Sequence, residues 1–83
     1  MFSNKVVLVT GAAGELGSAV CHFFKQMDAK VIAVDLELSL LETVFGPQKK
    51  DFILFSVDLT DRDKTRSVFE RILIVLVANI LKL

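Results

Sequence analysis

Three glycines and one carboxylate in the first half of the chain have the types and spacing to bind a charged ligand. The segment that begins at Thr10 has the sequence TGAAGELG, so Gly11, Gly14 and Gly17 occupy every third position. The first glycine permits a tight turn, the second lets the backbone approach a phosphate, and the third allows a helix to pack closely. Asp35 follows about 20 residues later, where its carboxylate can accept hydrogen bonds from ribose hydroxyls. The pattern predicts a dinucleotide site with its pyrophosphate at the turn.

A purely structural turn is the alternative interpretation of these residues. In that case the glycines only connect a strand to a helix, and Asp35 only ends a strand. We favour the dinucleotide site, because a simple connection does not require all four residues together. A P-loop is not indicated, since no Gly-Lys-Ser or Gly-Lys-Thr follows the glycines. The charge of Asp35 would repel a 2′-phosphate and no arginine follows it closely, so the predicted cofactor is NAD rather than NADP.

The elements that must position this site follow from the hydrophobic pattern. Short runs rich in β-branched residues predict buried strands at 5–10, 30–35 and 51–57. Amphipathic spacing and stop signals predict helices at 16–27, within 38–45, and from about 61 onwards. This βαβαβα order predicts an α/β fold with a Rossmann-like three-layer arrangement and a parallel sheet in the order 3-2-1. The apolar segment 72–83 fits either a fourth strand at about 74–77 or a continuation of the last helix.

The faces and first residues of the helices are also predicted. The apolar face of the first helix is predicted to contain Leu16, Val20, Phe23, Phe24 and Met27, and that of the third Val68, Phe69 and Ile72. Two capping-box pairs are predicted to begin the second and third helices, Ser39 with Glu42 and Thr60 with Asp63.

Composition limits the class of protein. The chain has 83 residues, enough for one small domain, and equal numbers of basic and acidic residues, so no net charge recruits nucleic acid or anionic lipid. A single cysteine, Cys21, excludes an internal disulfide and fits a reducing compartment. The apolar run at 6–9 near the N-terminus is too short for a signal peptide, and no stretch approaches the length of a membrane span. We therefore expect a cytoplasmic protein without nucleic-acid or membrane partners.

Neither Cys21 nor its neighbour His22 is predicted to do chemistry. Adjacent helical residues do not face one another, so the two cannot form a catalytic pair, and Cys21 is predicted to be a small packing residue. His22 falls on the polar side of its helix without a partner at metal-ligand spacing, and is predicted to be solvated. No metal site is predicted.

Three segments, VVLVTGAAGELG at 6–17, AKVIAVD at 29–35 and VDLTD at 57–61, resemble the short-chain dehydrogenase/reductase family. The resemblance covers residues 5 to about 62, and its Thr-Gly start is distinctive of that family. The glycine spacing is similar to that of the extended branch, which contains epimerases and dehydratases. In the branch of single-domain dehydrogenases, a glycine is expected at the position of Glu15.

The resemblance implies roles for particular residues. The backbone N–H of Leu16 would bind the pyrophosphate, Asp35 would hold the adenosine ribose, and Asp58 with Leu59 would border the adenine. Asp58 also has a local interpretation, as a carboxylate that ends a strand, and Asp61 is interpreted only as a residue of the first turn of a helix. The complete set of predicted cofactor-binding residues is Gly11, Ala13, Gly14, Glu15, Leu16, Gly17, Asp35, Leu36, Asp58 and Leu59.

Catalysis in this family implies a tyrosine whose pKa is lowered by a lysine four residues later, while the nicotinamide passes hydride. The chain contains no tyrosine, and the family's Asn-Asn-Ala-Gly segment is matched at best by residues 77–79. We therefore expect a single, truncated dinucleotide-binding domain, 1–83, that binds NAD(H) without turning over substrate alone. The alternatives are an oxidoreductase completed by another chain, a non-catalytic interaction module that self-associates through the apolar tail, and a fragment of an extended-type epimerase or dehydratase.

Overall fold

The computed structural model describes the backbone of residues 2–81, together with all their side chains except those of residue 49 and residues 75–81. It contains three strands and three α-helices in alternation, and a 3₁₀ turn at Gly46–Asp51 precedes the last strand. The elements are β1 Val6–Thr10, α1 Glu15–Gln26, β2 Lys30–Asp35, α2 Leu38–Phe45, β3 Ile53–Ser56 and α3 Arg62–Leu81. The predicted βαβαβα order is confirmed.

The three strands form one parallel sheet in the order β1-β2-β3, which confirms the predicted 3-2-1 arrangement. Thr10 lies beside Val34 in the register of β1 and β2, so the carboxyl ends of these strands lie at the same edge. The central strand β2 is buried on both faces, because its residues 31–34 are each at most 1% exposed. A continuous apolar run is therefore correctly interpreted as an inner strand.

Two hydrophobic clusters lie on opposite faces of the sheet. The cluster beneath α1 and α2 consists of Ala12, Cys21, Val31, Ala33, Leu41, Phe45 and Phe52. The cluster beneath α3 consists of Ile32, Val34, Phe55, Val57, Val68 and Ile72. Burial of a side chain such as Phe45 or Ile32 stabilises the fold by roughly 1.5–3 kcal/mol. Alternate residues of β2 supply the two clusters, so the helices cover both faces and the fold has the predicted three layers.

The buried side of α1 differs from the predicted one. Leu16 is 80% exposed and Phe23 is 51% exposed, whereas Cys21 is fully buried and Phe24 is half-buried. The helix faces the core along Gly17, Cys21 and Phe24, which are spaced at i, i+4 and i+7. The prediction was wrong at Leu16 and Phe23, because the point of closest approach is a glycine. The predicted packing role of Cys21 is confirmed.

The predicted capping residues were wrong for both later helices. α2 follows Glu37 without a side-chain cap, and Ser39 lies inside its first turn. At the start of α3, the Oδ1 atom of Asp61 accepts a hydrogen bond from the backbone N–H of Lys64 at 3.0 Å. An ionised carboxylate at a helix N-terminus makes a charge-assisted bond, so Asp61 caps the helix in place of Thr60.

The last helix settles the two interpretations of the apolar tail. α3 continues unbroken from Arg62 to Leu81, so residues 74–77 are helical and form no fourth strand. On its predicted apolar face Val68 and Ile72 are buried, but Phe69 is 38% exposed. The backbone at 77–79 is likewise helical, and the side chains of these residues lie outside the described set. Within residues 2–81 no helix is long and apolar enough to cross a membrane.

Candidate functional site

The glycine turn connects the end of β1 to the start of α1. Gly11 has φ +65°, in the left-handed region that side chains rarely adopt, and its carbonyl accepts a hydrogen bond from the Gly14 N–H at 3.1 Å. A Cβ at Gly17 would lie 2.1 Å from the Gly11 carbonyl oxygen and 2.9 Å from the Cα of Ala12. Gly11 therefore makes the turn possible, and Gly17 allows the helix to pack directly on it.

The first turn of α1 leaves backbone N–H groups available to an anion. The first hydrogen bond inside the helix is donated by Ser18 to the carbonyl of Gly14 at 2.9 Å, and no side chain caps this helix. The amides of residues 15–17 consequently have no partner within the helix, and the helix dipole adds a partial positive charge there. A Cβ at Gly14 would meet the protein only at 3.4 Å, so this glycine is not required for internal packing. The geometry fits the phosphate groups of a dinucleotide.

Asp35 stands at the end of β2 and is hydrogen-bonded to the glycine turn. Its Oδ2 atom accepts a hydrogen bond from the Ala13 N–H at 2.8 Å, and its Oδ1 atom accepts one from the Leu36 N–H at 2.7 Å. Its backbone carbonyl accepts another from the Val57 N–H at 2.9 Å, beyond the end of β3. The bond to Ala13 was missed at the level of sequence. The signal for it is the strand register, because the residues that follow Thr10 and Val34 must emerge side by side.

Asp58 is exposed and lies in the loop after β3. Its Oδ1 atom accepts hydrogen bonds from the hydroxyl of Thr60 at 2.6 Å and from the N–H of the same residue at 2.9 Å. These two bonds lower the pKa of Asp58, and the positive charge of Lys64 lowers it further. Asp58 therefore has the local structural role that the sequence suggested, as a carboxylate bonded within the loop that ends the strand, while its contact with adenine stays a prediction.

The carboxyl ends of the strands enclose an open cleft of about 260 Å³. The cleft is lined by Gly11, Asp35, Leu36, Val57, Asp58 and Leu59. Complete ligand pockets begin at roughly 300 Å³, so this cleft is suited to only part of a dinucleotide. Of the residues that the structure describes, two carboxylates and no cation line the cleft, and the half-exposed side chains of Leu36 and Leu59 supply apolar walls. Ligands of open α/β sheets bind at this edge of the fold.

The structure brings the predicted site residues together in two neighbouring groups. Gly11, Asp35, Leu36, Asp58 and Leu59 line the cleft, and Ala13 is joined to Asp35. The second group, formed by Gly14, Glu15, Leu16 and Gly17, begins α1. Val57 was missed, because an apolar residue at the end of a strand has the same sequence signature as an ordinary core residue.

Cys21 and His22 do not contribute a reactive group to this site. Burial raises the pKa of the Cys21 thiol to about 11, so the thiol is protonated and unreactive at neutral pH. His22 was wrongly predicted to be solvated. Its ring is stacked on Phe45 with centroids 5.6 Å apart, and its two nitrogens lie 2.8 Å from the Ser18 carbonyl and 3.0 Å from Oε1 of Gln48. The described residues contain no cluster of three potential metal ligands.

Comparison with known proteins assigns the chain to a family. The sequence profile of the short chain dehydrogenases matches residues 5–79. The chain belongs to the short-chain dehydrogenase/reductase family. This is a family of oxidoreductases that use NAD(P) cofactors.

Individual relatives agree with this assignment over most of the chain. The 3-oxoacyl-(acyl-carrier-protein) reductase FabG of Thermotoga maritima is 36% identical over 74 residues, which are 83% of this chain and 29% of that protein. The uncharacterized oxidoreductase YuxG of Bacillus subtilis is 33% identical over 75 residues, or 84% of this chain and 11% of that protein.

A solved structure shows the same fold. The citronellol catabolism dehydrogenase of Pseudomonas aeruginosa PAO1 superposes with a TM-score of 0.78 at 21% identity, over 87% of this chain and 31% of that one. The chain therefore spans between about a tenth and a third of the length of the relatives it matches.

Proposed function

We propose that the chain binds NAD(H), with the adenosine in the cleft and the pyrophosphate at the first turn of α1. The observation that carries this proposal is the position of Asp35, which borders the cleft and is bonded to the glycine turn at 2.8 Å. A carboxylate at this place can accept hydrogen bonds from the 2′- and 3′-hydroxyls of the ribose. One side chain thereby connects the two parts of the site that the ligand must occupy together.

The charge of the cleft favours NAD over NADP. A 2′-phosphate on the ribose would face Asp35 and Asp58, and the described residues that line the cleft include no cation to offset the repulsion. The adenine would lie between the apolar side chains of Leu36 and Leu59, with Asp58 at its edge. The amide of Leu16 would donate to the pyrophosphate, because it belongs to the uncapped first turn of α1.

We further propose that residues 1–83 act as one cofactor-binding domain of an oxidoreductase, located in the cytoplasm. The bound nicotinamide would supply or accept the hydride. A catalytic tyrosine would have to be contributed by residues outside these 83, since this sequence contains none. The 83 residues should therefore bind the cofactor without reducing a carbonyl substrate. Gly11, Gly14 and Gly17 retain the spacing of an extended-type epimerase or dehydratase, whereas the match to the short chain dehydrogenases favours dehydrogenase chemistry.

The decisive experiment is a calorimetric titration of the purified chain with NADH and with NADPH. We expect saturable binding of NADH and at least about tenfold weaker binding of NADPH, since unpaired like charges in a shared cleft cost on the order of 1.4 kcal/mol or more. Asp35→Ala should weaken NADH binding by at least about tenfold, the usual cost of removing a charged hydrogen-bond partner. Glu42→Ala, which removes an exposed carboxylate of α2 outside the cleft, should leave binding unchanged. Absence of saturable NADH binding to the wild-type chain refutes the proposal.

Self-association is the second candidate function, and exposed apolar residues favour it. Leu73 and Ile74 on α3 are 61% and 69% exposed, and on the edge strand β1 Val6 and Leu8 are 45% and 37% exposed. Apolar surface of this kind is typical of an interaction site. If the tail mediates association, multi-angle light scattering should show a concentration-dependent dimer that a Leu73→Glu, Ile74→Glu double variant disrupts. A monomer over the range from about 1 to about 100 µM would rule it out, because useful dimers assemble at such concentrations.

A further inference from the structure

Asp35 makes contacts that a residue used only to bind ribose would not need. Its two carboxylate oxygens each accept a backbone hydrogen bond, from Ala13 at 2.8 Å and from Leu36 at 2.7 Å. Its carbonyl accepts a third from Val57 at 2.9 Å. The bond to Ala13 joins residues 22 apart in the chain and is partly buried. One residue therefore fastens the glycine turn to the ends of two strands.

The Ala13 amide is the part of the turn that depends on this carboxylate. The neighbouring N–H groups of Ala12 and Gly14 donate to the carbonyls of Val34 and Gly11, at 3.0 Å and 3.1 Å. The Ala13 N–H donates instead to the side chain of Asp35, while the Ala13 methyl packs against the core beneath α1. Removal of the carboxylate would leave a half-buried donor without its acceptor, which favours other conformations of the turn.

We propose that Asp35 is a positioning residue for the pyrophosphate site. Its carboxylate holds the glycine turn so that the amides at the start of α1 converge on a phosphate before any ligand arrives. This inference rests on the proposed NAD(H) site and adds a second role for Asp35 to the ribose contact. A turn held in this way in the free protein spares the ligand the cost of ordering it.

The two roles of Asp35 are compatible. Each carboxylate oxygen has two acceptor positions, and the backbone uses one on each, so one on each oxygen stays available for the ribose hydroxyls. Removal of the carboxylate has two opposite effects on the affinity for a small anion, one electrostatic and one conformational. Deleting the negative charge alone should strengthen the binding of an anion nearby, whereas releasing the turn should weaken it.

Inorganic pyrophosphate is the probe that separates these effects, because it can occupy the turn and has no ribose. We expect Asp35→Ala to raise the dissociation constant for pyrophosphate roughly three- to tenfold, as the competent conformation of the turn becomes less populated. In the protein without ligand, hydrogen exchange at the Ala13 amide should accelerate by about tenfold or more relative to the amides of β2. Both measurements are made by NMR on the folded chain.

Asp35→Asn is the conservative rescue. The side-chain oxygen of asparagine can accept a hydrogen bond from the partly buried Ala13 N–H. Its amino group then faces the Leu36 N–H, which is exposed and can donate to water instead. We expect this variant to keep slow exchange at Ala13 and to bind pyrophosphate at least as tightly as the wild type. Asp58→Ala removes an equal charge from the same cleft and, because its bonds stay within its own loop, should leave Ala13 exchange unchanged.

The inference is overturned if Ala13 exchange in Asp35→Ala equals that of the wild type, or if pyrophosphate binds this variant as tightly or more tightly. Failure of the wild type to bind pyrophosphate also overturns it. Ala13 exchange is measured without a nucleotide, so a chain that fails to bind NADH can still show the dependence of the turn on Asp35. That combination would refute the proposed cofactor and retain the positioning contact.

Discussion

The substitution Gly17→Ala tests the central steric feature of the site. In the structure, the added Cβ would lie 2.1 Å from the carbonyl oxygen of Gly11, 2.8 Å from its carbonyl carbon and 2.9 Å from the Cα of Ala12. All three are backbone atoms, so no side chain can rotate away. The nearest contact must lengthen by about 0.9 Å to reach the 3.0 Å that real Cβ atoms keep. Either the start of α1 or the glycine turn must move.

The expected loss of stability is about 2 kcal/mol. Overpacking of a close contact costs about 1–3 kcal/mol, and a contact made only by backbone atoms belongs at the upper end. Replacing glycine by alanine in a helix returns at most about 1 kcal/mol. In a domain of this size a change of 2 kcal/mol lowers the melting temperature by roughly 8–16 °C. Because the displaced segment contains the amides that we propose to bind the pyrophosphate, NADH affinity should fall together with stability.

The assay is thermal and urea denaturation of the free protein, followed by NADH titration below the transition. The other two glycines of the turn are matched controls. Gly11→Ala meets no atom within 4 Å but has φ +65°, so it should cost only the strain of about 1–2 kcal/mol for a left-handed residue. Gly14→Ala fits internally, with its nearest contact at 3.4 Å, and should change stability by no more than about 0.5 kcal/mol while weakening NADH binding.

The result that would refute this reasoning is a Gly17→Ala protein as stable as the wild type. Equal destabilisation by Gly14→Ala would also refute it, because a Cβ at Gly14 meets no backbone atom closer than 3.4 Å. If Gly14→Ala left NADH binding unchanged, the second glycine would not be the place where the backbone approaches the phosphates.

Three further predictions follow from burial and charge. Burial raises the pKa of the Cys21 thiol to about 11, so Cys21 should react with a thiol reagent on the order of 100-fold more slowly than the exposed thiol of a Cys21→Ala, Ser39→Cys control. Comparable reaction rates in the native state would contradict the buried position of Cys21. The pKa of Asp58 is lowered in the folded state, so the wild type should be more stable than Asp58→Asn near about pH 7, above the unfolded pKa, and this advantage should disappear as the pH falls through the folded pKa. The measurement is urea denaturation as a function of pH. An advantage that stays constant down to about pH 2 would show that the hydrogen bonds of Asp58 do not contribute to stability. Leu8→Lys, on the exposed face of β1, should raise the concentration at which the chain aggregates and change the free energy of unfolding by less than about 0.5 kcal/mol. The control Val9→Lys, on the face of β1 that packs against the core, should destabilise the fold. If Leu8→Lys aggregates at the same concentration as the wild type, association does not occur through the edge strand β1.

The order of elements and the place of the glycine turn could be predicted from the sequence. β2 at Lys30–Asp35 has the predicted bounds, and α2 at Leu38–Phe45 lies within the predicted segment, because a run of buried β-branched residues and a Gly-Pro stop are local signals. The parallel order of the strands also followed, since alternation of strands with helices restricts the connections to right-handed crossovers. The spacing of the glycines and the distance to Asp35 indicated a dinucleotide site before any contact was known.

Tertiary structure decided which of several local possibilities is realised. Thr60 and Asp61 both have side chains that can cap a helix. In the structure the hydroxyl of Thr60 donates to Asp58, and the carboxylate of Asp61 accepts from the Lys64 N–H and caps α3. Similarly, His22 has a polar ring on a polar helix face, and only the approach of Phe45 from another helix makes it a packed residue. Competing hydrogen bonds and ring contacts differ by about 1 kcal/mol or less, so the neighbouring elements determine the outcome.

The sequence by itself determined that a glycine turn joins the first strand to the first helix and that Asp35 ends the neighbouring strand. Only the tertiary structure brought the two into contact, because the parallel register places Ala13 beside a carboxylate 22 residues away. It also decided that α1 faces the core at Gly17 rather than at Leu16. Hydrophobic periodicity records large side chains, whereas Gly17, where α1 approaches the turn closely, has none.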